Sequence, residues 1–131
     1  MLRASLVMFA LLTASPVLAK PLTIPAGETW VFTIADGQPA NARKADPSSK
    51  PARGEVKITV LALMGTTMTA SSNNPDAYVF RAELVGANGK LAPARTCTLP
   101  PRGRPVLESW VQKARAVRVS NFRPAADPGA C

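Results

Sequence analysis

Glu55-Val56-Lys57-Ile58-Thr59-Val60-Leu61-Ala62-Leu63 alternates apolar and polar side chains with a period of two. Successive side chains of a β-strand point to opposite faces, so Val56, Ile58, Val60 and Ala62 fall on one face. Glu55, Lys57 and Thr59 fall on the other, which reads as the wet face of a strand. Gly65 ends the run. The same pattern recurs on both sides of it. In Thr29 to Ile34 it puts Trp30, Phe32 and Ile34 on one face. In Tyr78 to Leu84 it turns Tyr78, Phe80, Ala82 and Leu84 inward. Such aromatic and β-branched runs suit a pleated, half-buried surface.

Between the runs lies dense turn chemistry. Asp36-Gly37, Ser71-Ser72-Asn73-Asn74-Pro75-Asp76 and Gly86-Ala87-Asn88-Gly89 each bring residues that bond their own backbone, tolerate a left-handed dihedral or preset one. Thr66 to Ser71 is a more polar strand candidate, Arg95 to Leu99 a short one, and Ala116 to Phe122 a last one ending at Pro124. Val106 to Lys113 fits either a helical turn or an edge strand. Residues 35–54 show no apolar period and mix Pro39, Pro47 and Pro51 with Ser, Gly and cations, which reads as a long mobile loop. Short alternating strands without a long helix describe an all-β fold: a small antiparallel β-sandwich, immunoglobulin-like by preference, with a small barrel as the alternative. On that reading Glu55 and Glu83 are solvated surface carboxylates.

The chain opens with Arg3, an apolar stretch from Ala4 to Ala14, Pro16 and Val17-Leu18-Ala19. A positive start, a short apolar core and small residues before a cleavage point make a secretory signal, too short to span a bilayer. Residues 1–19 are therefore expected to be a cleaved signal peptide and 20–131 a single exported domain, periplasmic or extracellular. No later stretch is long and apolar enough for a membrane span.

Export bears on the two cysteines, Cys97 and Cys131. An even pair in an oxidising compartment is expected to bond. Their wide spacing is unlike that of reactive pairs such as Cys-x-x-Cys, so the bond reads as structural.

Charge is uneven. The chain carries a formal net charge of +8. Residues 20–89 hold seven basic and six acidic side chains, whereas 90–131 hold eight basic and two acidic. A basic C-terminal third attracts anions, outside the cytoplasm chiefly lipid headgroups, lipopolysaccharide or acidic glycans. Arg95, Arg102, Arg104, Lys113, Arg115 and Arg118 are the candidate anion- or partner-binding residues. Arg102 and Arg104 sit in a proline-bounded loop, Pro100 to Pro105. Trp110, close to Lys113 and Arg115, is a candidate partner anchor or a lid on the end of the core.

There is no histidine. The Ser-His-Asp and Cys-His nucleophiles, the commonest metal ligand and the commonest general base near neutral pH are therefore unavailable. Ser-x-x-Lys spacing, metal clusters and phosphate-cradling glycine loops are missing as well. The expectation is a non-catalytic protein without cofactor or metal. It reads first as a binding or adaptor module for an anionic envelope component or an acidic protein. A small inhibitor that plugs a cleft with its disulfide-pinned loop is the alternative, and an enzyme using carboxylates or lysine a third reading. Specific nucleic-acid binding is not expected.

Overall fold

A computed structural model describes residues 19–131. The secretory signal read over residues 1–19 lies, apart from Ala19, outside the described residues. Nine strands succeed one another: β1 (Leu22–Pro25), β2 (Thr29–Ala35), β3 (Gln38–Ala45), β4 (Glu55–Leu61), β5 (Thr66–Ser72), β6 (Tyr78–Val85), β7 (Leu91–Ala94), β8 (Val106–Trp110) and β9 (Ala116–Pro124). They form two antiparallel sheets, ordered β1-β9-β6-β7 and β3-β2-β4-β5-β8. The fold is thus a small all-β sandwich, not a barrel. Its strand order is its own: β1 pairs with β9, whereas a constant-type immunoglobulin domain sets its first strand beside its second. None of the described residues forms a helix long and apolar enough to cross a membrane.

The core lies where the period-two faces meet. Val56, Ile58 and Val60 of β4 are fully buried, as are Phe32 of β2 and Val117 and Val119 of β9. Phe80, Ala82 and Leu84 of β6 are buried with them, and Trp30, Ile34 and Tyr78 pack against the cluster. Ala62, assigned inward from its phase, is exposed, because β4 ends at Leu61 and the chain turns there.

Two asparagines break the period, and each break aims a side chain. Opposite Phe80, the register of β6 against β9 shifts between Val79 and Arg81. Asn121 takes a left-handed φ of 54° at that point. Such a bulge adds one residue to one strand and reverses the facing of the residues beyond it. Phe122 is thereby turned inward together with Val117 and Val119. It stacks on Phe80 at 4.9 Å between centroids and takes the edge of Phe32 at 5.5 Å. A second shift lies between Val31 and Thr33 where β2 faces β3, and there Asn41 has φ 53°. The two bulged regions are linked. Gln38 Nε2 donates to Asn121 Oδ1 at 2.6 Å, and the Phe122 N–H donates to the Gly37 carbonyl at 2.6 Å.

Residues 35–54 are not the unbroken mobile loop expected of them. Gln38–Ala45 is an edge strand, and edge strands need no apolar alternation; prolines, charges and bulges guard them. Residues 46–54 then cross the outer face of the five-stranded sheet under several hydrogen bonds. The Ser48 N–H and hydroxyl both donate to Asp46 Oδ1, Lys57 Nζ donates to the Pro47 and Ser49 carbonyls, and Asn73 Nδ2 donates to the Pro51 carbonyl. Arg95–Leu99 is likewise not a strand. The strand is Leu91–Ala94, and of the later residues only Leu99 bridges, to Tyr78. Val106–Trp110 resolves as an edge strand.

Glu55 and Glu83 are both 8% exposed and are not the solvated carboxylates expected of them. Arginines lie against each of them, Arg43 of β3 at Glu55 and Arg81 of β6 with Arg118 of β9 at Glu83. Arg43 forks onto Glu55 at 2.5 and 3.3 Å, and the Ala52 N–H donates to the same carboxylate at 2.8 Å. The Arg43 guanidinium holds the Glu55 carboxyl below the usual carboxylate range, against burial, which pushes it up. A carboxylate depressed in this way adds stability that is fully present above its unfolded pKa and is lost as pH falls through its folded one. Glu55→Gln should therefore lower Tm at neutral pH. The gap to the parent should close as pH drops below the ordinary carboxylate range. A gap that stays constant as the pH falls well below that range in a thermal-melt series would rule the ion pair out as its source.

Candidate functional site: a basic cleft between three turns

The expected basic residues do not gather in one patch. Arg95 lies exposed with Arg81 and Arg123 along a shallow groove on the four-stranded sheet. Lys113 faces Lys90 across a small cleft at one end of the sandwich, and the Arg115 guanidinium lies over Gly89 beside it. Arg104 is exposed beyond the Pro100–Gly103 turn. Arg118 pairs with Glu83 in the β6–β9 register, with its Nε 4.0 Å from the carboxylate and Arg81 3.7 Å away on the other side. At that distance its Nε is buried without a hydrogen-bond partner, so Arg118 neighbours Glu83 in the sheet and stays apart from the other candidate cations. Trp110 donates its indole N–H to the Arg95 carbonyl at 3.1 Å and packs its ring against the core while staying half-buried, the geometry of a lid.

Arg102 is the exception. It shares a cleft with Lys50, from the segment read as a loop, and with Lys57 of β4. Residues 48–51, the end of β5 and the turn at Arg102-Gly103 enclose a cleft of about 370 Å³. Lys50, Lys57 and Arg102 line it with Ser48, Ser49, Ser71 and Asn73. An adjoining hollow shares Arg102 and adds Arg53, Asn74 and Pro75. No carboxylate lines either one.

The walls are held by backbone bonds. The Arg102 N–H donates to the Asn74 carbonyl at 3.0 Å and the Gly103 N–H to the Ser72 carbonyl at 2.6 Å. Arg102 and Gly103 take left-handed φ values of 61° and 79°. A non-glycine residue accepts that conformation at a cost, and here the tight turn it makes sets Arg102 against β5. Across the cleft, the Gly54 N–H donates to the Asn73 carbonyl at 2.8 Å and anchors the Pro51–Gly54 side. The Lys57 ammonium donates to the carbonyls of Pro47 and Ser49, which limits its motion, and it also helps hold the Asp46 carboxyl below its ordinary value, after the hydrogen bonds from Ser48.

Chemically the cleft offers guanidinium and ammonium donors with hydroxyl and amide groups between them. That set suits phosphate, sulfate or carboxylate groups. No group of three or more metal-ligating side chains occurs among the described residues. The sequence pointed to Arg102 but not to Lys50, Arg53 and Lys57. The signal that could have found them was the run of cations among prolines and serines in 44–57.

Cys97 and Cys131 are joined in a disulfide. The bond lies beside β8, where Glu108 accepts the Cys97 N–H at 2.7 Å. No protein-family model matches the chain, and no curated protein and no solved structure matches it either.

Proposed function

We propose that this is an exported, non-catalytic binding module that takes an anionic envelope component, or an acidic stretch of a partner protein, in the cleft between Lys50, Lys57 and Arg102. The observation that carries this reading is a carboxylate-free lining that brings cations from two distant parts of the chain onto a hydrogen-bonded frame. The excess of basic over acidic side chains in residues 20–131 adds long-range attraction, but only the cleft gives that attraction a place. Extracytoplasmic work agrees with the apolar N-terminal segment and the disulfide.

The test uses retention of the chain from Lys20 onward on immobilised heparin across a salt series. Lys50→Ser with Arg102→Ser should lower the eluting salt, and the salt dependence should correspond to roughly two fewer counterions released. Arg95→Ser with Arg123→Ser removes the same charge from the other groove and should have a smaller effect. Equal losses from both pairs would mean that net charge alone governs retention, and the cleft would then have no special role.

A further inference from the structure

At the end of the sandwich opposite the cleft, three apolar side chains stand in solvent on two neighbouring turns. Leu63 and Met64 lie between β4 and β5, and Val111 comes directly after β8; they are 62%, 102% and 93% exposed. Single exposed apolar residues are ordinary, but a group on adjacent turns marks a contact surface.

The turns form one braced unit. Thr66 Oγ1, fully buried, donates to the Gln112 carbonyl at 2.8 Å and accepts the Ala114 N–H at 2.9 Å. Gly65, at φ 107°, backs so closely onto the next strand that a Cβ there would sit 2.2 Å from the Trp110 carbonyl oxygen. Met64 holds a left-handed φ of 47° while its side chain points entirely into water. Strain of this kind in a residue that buries nothing is unrewarded within the fold.

Cations flank the apolar tip. Between the 86–90 turn and residues 112–114 lies a cleft of about 240 Å³ with Leu84, Leu91 and Ala114 in its wall and Lys90 and Lys113 in its lining. Glu28, just before β2, is taken up by Lys44 at 3.4 Å and the Trp30 indole N–H at 3.3 Å.

We infer that this end docks on a bilayer surface containing anionic lipids. Leu63, Met64 and Val111 enter the boundary between headgroups and acyl chains, and Lys90 and Lys113 meet the lipid phosphates. Exposed aliphatic side chains with two lysines at the same end match an apolar layer beneath an anionic one. A protein-binding hot spot would instead centre on aromatic or arginine anchors. The inference does not depend on the cleft, and the two can fail separately.

The test is co-sedimentation of the chain from Lys20 onward, which contains all nine strands, with phosphatidylcholine vesicles holding increasing phosphatidylglycerol. Binding should rise with the anionic fraction. Leu63→Ser, Met64→Ser and Val111→Ser together should lower the partition coefficient by about tenfold or more. Lys90→Gln with Lys113→Gln should lower it by about tenfold on anionic vesicles and leave neutral ones unchanged. Met64→Trp should bind more tightly and shift its emission to the blue on vesicles. Lys50→Ser with Arg102→Ser should bind vesicles like the parent. These side chains are exposed, so Tm should be unaltered throughout. Absence of vesicle binding by the parent would overturn the inference. So would parent-like binding by the triple variant. A concentration-dependent dimer that the triple variant abolishes, without vesicle binding, would assign the tip to a second copy of the chain instead.

Discussion

Phe32→Ala should destabilise the domain by about 3–5 kcal/mol, the range for deleting a fully buried aromatic ring. Phe32 has no exposed surface, and its ring meets the edge of Phe122, which stacks on Phe80. Phe32 belongs to the five-stranded sheet and the other two to the four-stranded sheet, so the trio is a junction between the layers. Removing the ring leaves a void that both sheets would have to close, and a sandwich with hydrogen-bonded layers relaxes little. Domains of this size hold a net stability of about 5–15 kcal/mol, so the loss is a large share of the whole. Urea unfolding should show a lower midpoint at an unchanged slope. Phe32→Leu keeps most of the apolar volume and should cost less than half as much. A loss under about 1 kcal/mol for the alanine variant would mean that the two sheets do not meet at this ring.

The central strands were legible because each has a partner on both sides and a core on one face. Those two conditions impose the period of two seen in Val56, Ile58 and Val60. The edge strands β3 and β7 were not legible. Each pairs on one side only and contains a proline, Pro39 or Pro93, and apart from Pro39 and Ala40 their residues remain largely outside the core. Phe122 illustrates a different limit. By phase it should point away from Val117 and Val119, and only the left-handed turn at Asn121 reverses it. Asparagine is one of the few residues that accept that conformation, but its presence alone does not say that a bulge forms.

The site was legible in kind but not in place. An excess of cations after residue 90 drew attention to Arg102 among others, yet charge counted along a chain says nothing of which cations face a carboxylate. Arg118 lies beside Glu83, while Lys50 and Lys57, from the nearly neutral part, line one cleft with Arg102. The pairing of β4 with β5 does this, because it sets Lys57 opposite Ser71 and so brings residues 48–51 next to the turn that Arg102 makes. Long-range strand pairing of this kind leaves no local trace.

Opening the Cys97–Cys131 bond should cost less than the full loop-closure value. The bonded residues are 34 apart, and for a loop of that length the chain-entropy estimate is about 3.8 kcal/mol. That estimate assumes a folded state unchanged by the loss of the bond. Here residues 126–131 are exposed, and beyond β9 the tail is held otherwise by the Ala125 N–H on the Ala77 carbonyl and the Thr98 N–H on the Ala130 carbonyl. Without the disulfide the last residues are free to fray while the sandwich stays closed, so the folded state also gains entropy and offsets part of the loss. Cys97→Ser with Cys131→Ser should therefore unfold with a stability lower by about 2–3 kcal/mol, and the midpoint in urea reads this directly. A second measurement separates fraying from global loosening. Carboxypeptidase should trim the double variant back toward Pro124 under native conditions and leave the bonded protein intact, and hydrogen exchange in β6 and β9 should report the loss of global stability alone. A loss at or above the full loop-closure value with an untrimmed tail would mean that the tail packs more strongly than its exposure indicates. A loss near zero would mean that the unfolded chain is already compact around these residues.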